Sequence, residues 1–246
     1  MKNKNIIIPS DYNDYIYRFT YYCMSYIAPH ISRKITPNQI TVLGFIAAMI
    51  GTALLYFVQT PAAYLYWVLF NFIWFLLDTL DGMHARLSQQ SSEFGAFLDH
   101  ALDNIYFVFM LTVFAAKFDL VHLIYIYIII LRVTAAVMVF TVQCHTKKLY
   151  LSRISGGFET LLFSIVMILS YYFPYFNPVT HTTNLFLLHW IDQLSLQQGM
   201  FMKINLFVYF FGIPVTTWLQ FRFVKKTATK ASDALNNKII ANGTWL

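Results

Sequence analysis

The sequence predicts an all-α polytopic membrane protein, with six transmembrane helices and an N-terminal interfacial helix. Three observations predict it. Of the 246 residues, 58% are hydrophobic and only 11% are charged, whereas a soluble domain carries ~25% charged residues. The apolar residues gather in runs such as ITVLGFIAAMIGTALLYFVQ, residues 40–59, which holds no charge at all and matches the ~20 residues a helix needs to cross a bilayer. The basic residues, finally, fall between these runs with a strong bias to one side.

Residues 11–33 read as an interfacial helix: Ile16, Phe19, Cys23 and Ile27 recur at helical spacing, while Asp11, Asp14 and Arg18 interrupt any continuous apolar stretch. The first span covers residues 40–59. Pro61 breaks the helix, and a second span runs from Ala62 into DTLDGMHARLSQQSSEFGAFLDHALDN, residues 78–104. A third starts near Phe94, a fourth covers 120–143 with His122 and Arg132 inside it, a fifth follows Gly157 toward Pro174, and a sixth covers 202–224. Residues 177–200, polar in places, carry no clear assignment. The chain thus divides into a cytoplasmic N-terminus over 1–39, a membrane domain over 40–224 and a cytoplasmic tail over 225–246. Residues 1–15 lack an apolar core long enough for a cleavable signal peptide.

Two cysteines, Cys23 and Cys144, support neither a disulfide framework nor a thiolate metal site. The net charge of +6 in a membrane protein reads as cytoplasmic loops rather than nucleic-acid binding, so no nucleic-acid partner is expected. Lys2, Lys4, Arg18, Arg33 and Lys34 precede the first span, Arg86 follows the second, and Lys147, Lys148 and Arg153 follow the fourth. Arg222, Lys225, Lys226, Lys230 and Lys238 lie at or beyond the end of the sixth, against only Lys117 and Lys203 on the other side. Both termini and the turn near Arg86 are therefore expected at the cytoplasmic face.

The chemistry concentrates in residues 78–104. Asp78 and Asp81 share one helix face, as do Asp99 and Asp103, and a short turn brings the two faces together. Gly82 and Ala85 are small where phosphates would come close, and Gly95 lets the helix that carries it approach its neighbour. Converging carboxylates make a hard anionic site suited to Mg²⁺ or Mn²⁺. The plainer alternative is solvated acids at helix ends, an even match for any one aspartate. Four unpartnered in the bilayer would cost on the order of 10 kcal/mol, at roughly 2.5–3.5 kcal/mol each.

The spacing Asp78-x2-Asp81-Gly82-x2-Ala85-Arg86-x8-Gly95-x3-Asp99-x3-Asp103 resembles, at every fixed position, the signature of the CDP-alcohol phosphatidyltransferase family. The resemblance implies a six-helix membrane core, commonly a homodimer, that displaces CMP from a CDP-linked alcohol with a second alcohol. It further implies that Asp78, Asp81 and Asp99 chiefly hold two divalent ions, that Asp103 is a general base near the metal edge, and that Gly82, Ala85 and Arg86 contact the CDP moiety. ITPNQIT, residues 35–41, resembles the start of the family's first helix, which would bring Asn38 and Thr41 near the nucleotide.

Two stretches resemble the choline/ethanolamine phosphotransferase branch: LDHALDN, with His100 after the third aspartate, and CHTKKLYLSRISGGFET, residues 144–160. In the second, Gly156-Gly157-Phe158-Glu159 keeps the branch's acid but lacks its proline. The branch implies CDP-ethanolamine or CDP-choline as donor and diacylglycerol as acceptor. The alternative is a CDP-diacylglycerol donor with inositol phosphate, glycerol phosphate or serine as acceptor. His100 competes with Asp103 as base because an unperturbed imidazole titrates near neutrality. Glu159 is either a cradle for an ammonium headgroup or an acid favoured by a helix start. A phospholipase D-type route fails because position 152, where its motif requires Asp after His145 and Lys147, is Ser. A channel would spread its acids through the bilayer instead of clustering them. Arg132 implies a partner that the sequence does not name, and the Asn242 sequon is expected to stay unmodified on the cytoplasmic side.

Overall fold

The computed structural model describes residues 15–118, 123–146 and 156–173, with scattered helical positions between 201 and 225. Among these residues all regular structure is helical. The short first helix, α1 (Tyr15–Met24), leads through a 3₁₀ turn at Ala28–His30 to α2 (Pro37–Phe57). Thr36 caps α2: its hydroxyl accepts from the Gln39 amide at 3.3 Å, and Gln39 Oε1 accepts from the Thr36 amide at 2.9 Å. Pro37 in the first turn has no amide to leave unsatisfied, so the helix begins ahead of the uncharged run at 40–59.

After Pro61 comes α3 (Ala62–Ser88), which ends where Gln89 takes a left-handed conformation at φ 61° and the Gln90 amide reaches back to the Ala85 carbonyl. The Ser92 hydroxyl then accepts from the Gly95 amide at 2.9 Å and starts α4 (Glu93–Lys117). At the far end of α4, Lys117 Nζ donates to the Val58 carbonyl at 3.0 Å, satisfying an acceptor left by the end of α2. Two more helices follow, α5 (Leu123–Thr146) and α6 (Gly156–Tyr172).

By length and composition α2, α3 and α4 can each cross a membrane. The fourth and fifth expected spans correspond to α5 and α6, whose described apolar stretches, Tyr125–Met138 and Gly157–Tyr172, are shorter. The sixth span lies largely outside the described residues, as do 1–14 and 177–200.

Packing centres on α3, which lies against α2, α6 and α1, while α4 lies against α2 and α5. Helices in lipid gain from close van der Waals approach, and small residues permit it. A Cβ added at Gly51 would stand 2.5 Å from Phe70 Cβ, and one at Gly44 would stand 3.2 Å from Leu77 Cβ. The core between the helices is aromatic, built on Trp67, Tyr106, Phe114 and Phe163. One polar chain crosses it: Tyr106 Oη donates to Asn71 Oδ1 at 2.6 Å, and Asn71 Nδ2 donates to Ser164 Oγ at 3.3 Å, tying α4, α3 and α6 together. Leu43, Ile46 and Ile50 of α2 and Leu69 and Phe72 of α3 face outward, a surface that lipid covers better than water.

The expected stripe on α1 divides: Phe19, 69% exposed, and Ile27 just beyond the helix face outward, Ile16 and Cys23 pack inward, and the buried residues of the helix are Thr20, Tyr21 and Met24. The inner face presents phenols whose hydroxyls find charged partners on α3, and the Phe19 and Ile27 side is left outward, where a bilayer interface would meet it.

Candidate active site

The two aspartate-bearing segments converge across the turn at 89–92. Asp78 of α3 and Asp99 and Asp103 of α4 each offer a carboxylate oxygen, and these oxygens all lie within 4.8 Å of one another. They line a small cleft with Thr41 and Gly44 of α2 and Trp74 of α3. Asp81, expected as a fourth member, is buried nearby but stands outside this trio. It accepts the Thr41 hydroxyl, which α2 brings alongside α3 and which holds the carboxylate toward that helix. Thr41, expected near a nucleotide, thus acts directly on an acid.

Each acid in the trio has a different setting. Asp78 Oδ2 accepts from Tyr17 Oη at 3.1 Å, and Asp103 Oδ1 accepts from Trp74 Nε1 at 3.3 Å. Asp99 Oδ1 is buried without a hydrogen-bond partner among the described residues. A buried carboxylate oxygen with no donor is costly. An all-carboxylate donor set with one such orphan fits a hard divalent cation such as Mg²⁺ or Mn²⁺ and not a thiophilic metal. The residues present therefore fit the expected ions, with Asp78, Asp99 and Asp103 nearest together and Asp81 beside them.

On the α3 side of the turn, Arg86 Nη2 donates to Tyr21 Oη at 3.0 Å, and the guanidinium carbon stands 5.5 Å from the Tyr21 ring centroid. Arg86 Nε is buried without a hydrogen-bond partner among the described residues. A Cβ at Gly82 would lie in ordinary contact with Arg86 Nη1, 3.4 Å away, which puts Gly82 directly beside the guanidinium. Ala85 lies in the same helical turn, its carbonyl used by Gln90. Across the groove, a Cβ at Gly95 would come within 3.0 Å of Asn38 Oδ1. Two residues expected at the site, one on α2 and one on α4, are therefore neighbours. The segment leading into α2 is held by His84 Nε2, which donates to the Ile35 carbonyl at 2.8 Å, and by Gln90 Nε2, which donates to the Arg33 carbonyl at 3.0 Å.

The remaining expected residues are not members of the trio. The His100 ring packs edge-on against Phe140 of α5, 6.0 Å between centroids, on a different wall of α4 from the carboxylates. Glu159, in the first turn of α6, pairs with Arg132 at 3.3 Å. The Arg132 guanidinium also lies 4.3 Å from the Phe107 ring centroid. The partner that the sequence could not name for Arg132 is therefore Glu159.

Sequence reasoning missed Tyr17, Tyr21, Trp74 and His84. Trp74 precedes Asp78 by one helical turn on the same face, a spacing signal that was available. The tyrosines gave none, because their partners lie far along the chain.

Clustered carboxylates between bilayer-length helices, with a half-buried arginine beside them, make a group that could hold a metal ion. The family model described as CDP-alcohol phosphatidyltransferase matches residues 34–207, and the chain belongs to that family. It is similar to the bifunctional IPC transferase and DIPP synthase of Aquifex aeolicus, at 43% identity over 77 residues, which is 31% of this chain and 17% of that protein. It is also similar to choline/ethanolaminephosphotransferase 1 of Saccharomyces cerevisiae, at 29% identity over 144 residues, 54% of this chain and 36% of that protein. The archaetidylinositol phosphate synthase of Pyrococcus horikoshii is 35% identical over 74 residues, 30% of this chain and 37% of that protein. The matched regions thus span little more than a third of these relatives at most.

Proposed function

We propose that the protein transfers a phospho-alcohol from CDP-ethanolamine or CDP-choline to diacylglycerol and releases CMP. The observation that carries a metal-assisted phosphotransfer is the trio of carboxylate oxygens from half-buried aspartates, within 4.8 Å of one another. The histidine after Asp99, the Gly156–Glu159 stretch and the name of the yeast relative favour this donor and acceptor. The names of the Aquifex and Pyrococcus relatives favour the second reading, transfer from CDP-diacylglycerol to a small polar alcohol such as inositol phosphate, glycerol phosphate or serine.

In the first reading, the diacylglycerol hydroxyl oxygen forms a bond to the β-phosphorus of the donor as the bond to the CMP oxygen breaks. CMP leaves with that electron pair, and the hydroxyl proton passes to Asp103. Asp78, Asp81, Asp99 and Asp103 would hold two Mg²⁺ or Mn²⁺ ions, which when bound would neutralise charge on the diphosphate. Arg86 donates to phosphate oxygens. Gly82 and Ala85 let the donor approach the α3 backbone, while Asn38 and Thr41 line the nucleotide side. Glu159, held by Arg132, meets an ammonium headgroup only as a member of that ion pair. The reaction runs at the cytoplasmic face, among membrane lipids, in a homodimer.

The deciding experiment supplies purified protein with each CDP donor separately and measures CMP release. CDP-ethanolamine or CDP-choline with diacylglycerol should support turnover, chelation should abolish it, and Mg²⁺ or Mn²⁺ should restore it. Asp78→Asn, Asp81→Asn and Asp99→Asn should each lose most turnover while remaining folded and extractable. Turnover with CDP-diacylglycerol alone transfers the assignment to the second reading, and full activity in any of the three variants defeats the metal assignment.

A further inference from the structure

The two charged parts of the site, an acid of the metal trio and the arginine beside it, are both reached from outside the helices that carry them. Tyr17 and Tyr21 stand one turn apart on α1, so their phenols project from the same face. Tyr17 Oη donates to Asp78 Oδ2, and its ring packs against Phe75 at 4.9 Å between centroids, which holds the phenol from two directions. Tyr21 is 3% exposed and accepts from Arg86 Nη2 while its ring flanks the guanidinium.

We propose that Tyr17 and Tyr21 are positioning residues with separate tasks: Tyr17 sets the Asp78 carboxylate for a divalent cation, and Tyr21 sets the Arg86 guanidinium for the diphosphate. The proposal rests on reading the site as one for metal and CDP. A carboxylate with one oxygen committed to a phenol keeps its rotamer and presents the other oxygen, and partners of this kind strengthen metal binding. Arginine's long side chain loses much rotamer freedom when it is fixed. A hydrogen bond at Nη2 and a ring alongside fix it in advance, and the remaining guanidinium donors, among them Nε, stay available for phosphate.

The test uses the full-length chain in nanodiscs and two binding measurements that need no turnover: Mn²⁺ alone, by loss of the free-ion paramagnetic resonance signal, and CMP at saturating Mn²⁺, by calorimetry. Tyr17→Phe keeps the ring packing and removes the hydroxyl. It should weaken Mn²⁺ roughly 10- to 100-fold and leave CMP binding at saturating Mn²⁺ unchanged. Tyr21→Phe should weaken CMP about tenfold and leave Mn²⁺ unchanged. Wild-type affinities in either variant overturn the division, and so does an equal loss of both ligands in both variants, which is what simple docking of α1 would produce. If wild-type protein takes up no Mn²⁺, or if Asp99→Asn takes up as much as wild type, the reading of the site falls and the inference with it.

Discussion

Asp103 and His100 lie within one turn of α4, yet they face different neighbours. Asp103 belongs to the carboxylate trio and holds a hydrogen bond from Trp74, whereas the His100 ring leans on Phe140. A base must stand within reach of the proton it removes. Proximity to the trio therefore favours Asp103, and Asp103→Asn should lower turnover by roughly 10²–10⁴ while His100→Gln keeps most of it. Steady-state CMP release separates the two: a collapsed His100→Gln beside a near-normal Asp103→Asn would make the histidine the proton acceptor. At this scale the sequence was informative about which acids share a face, because helical spacing alone decides that. It was silent on Thr41 drawing Asp81 aside and on Tyr17 reaching Asp78, because those contacts depend on how α1 and α2 register against α3.

Of the described glycines, Gly51 at the α2–α3 contact leaves the least space for a side chain. A methyl group added at Gly51 would lie only 2.5 Å from Phe70 Cβ, which leaves no room for even an alanine without a shift of backbone or ring. Gly51→Ala should therefore destabilise the protein by ~1–3 kcal/mol, the usual range for overpacking. The melting temperature in detergent should fall while the KM of the folded fraction stays put; an unchanged melting temperature would mean that the helices are less closely packed than they stand here. The helices themselves were legible because uncharged apolar runs of bilayer length have few alternatives. The rotation of α1 was not, since both of its faces carry large apolar or aromatic residues and only the phenol contacts on α3 choose between them.

For the whole molecule, the acidic site lies at the turn between α3 and α4, and Lys117 marks the opposite end of α4 beside Val58. The proposed cytoplasmic orientation of the site end rests on the basic residues before the first span and around Arg86. With Cys23 and Cys144 replaced, a cysteine at Ser91 should react with an impermeant reagent from the cytoplasmic side. One at Thr60 should react only from the other side, and labelling of both from one side would overturn this orientation. The three bilayer-length helices, and the α5 and α6 that follow them, were readable from hydropathy. The pairing of Arg132 with Glu159 was not, because the two charges sit in different apolar segments and meet only in three dimensions.

That ion pair also bears on how the chain is made. Arg132 emerges from the ribosome inside an otherwise apolar segment, before Glu159 has been synthesised. A lone arginine at the centre of a helix costs roughly 2.5–3.5 kcal/mol on leaving the translocon for lipid. The helix α5 is therefore a poor client for release by itself and should wait beside the channel until α6 supplies the counter-charge, so that the two enter the bilayer together. Nascent chains stalled with α5 clear of the ribosomal tunnel and α6 still inside it should remain crosslinkable to the translocon, and chains with both helices clear should not. Arg132→Leu should release the shorter chains early; if it makes no difference, the pair plays no part in biogenesis.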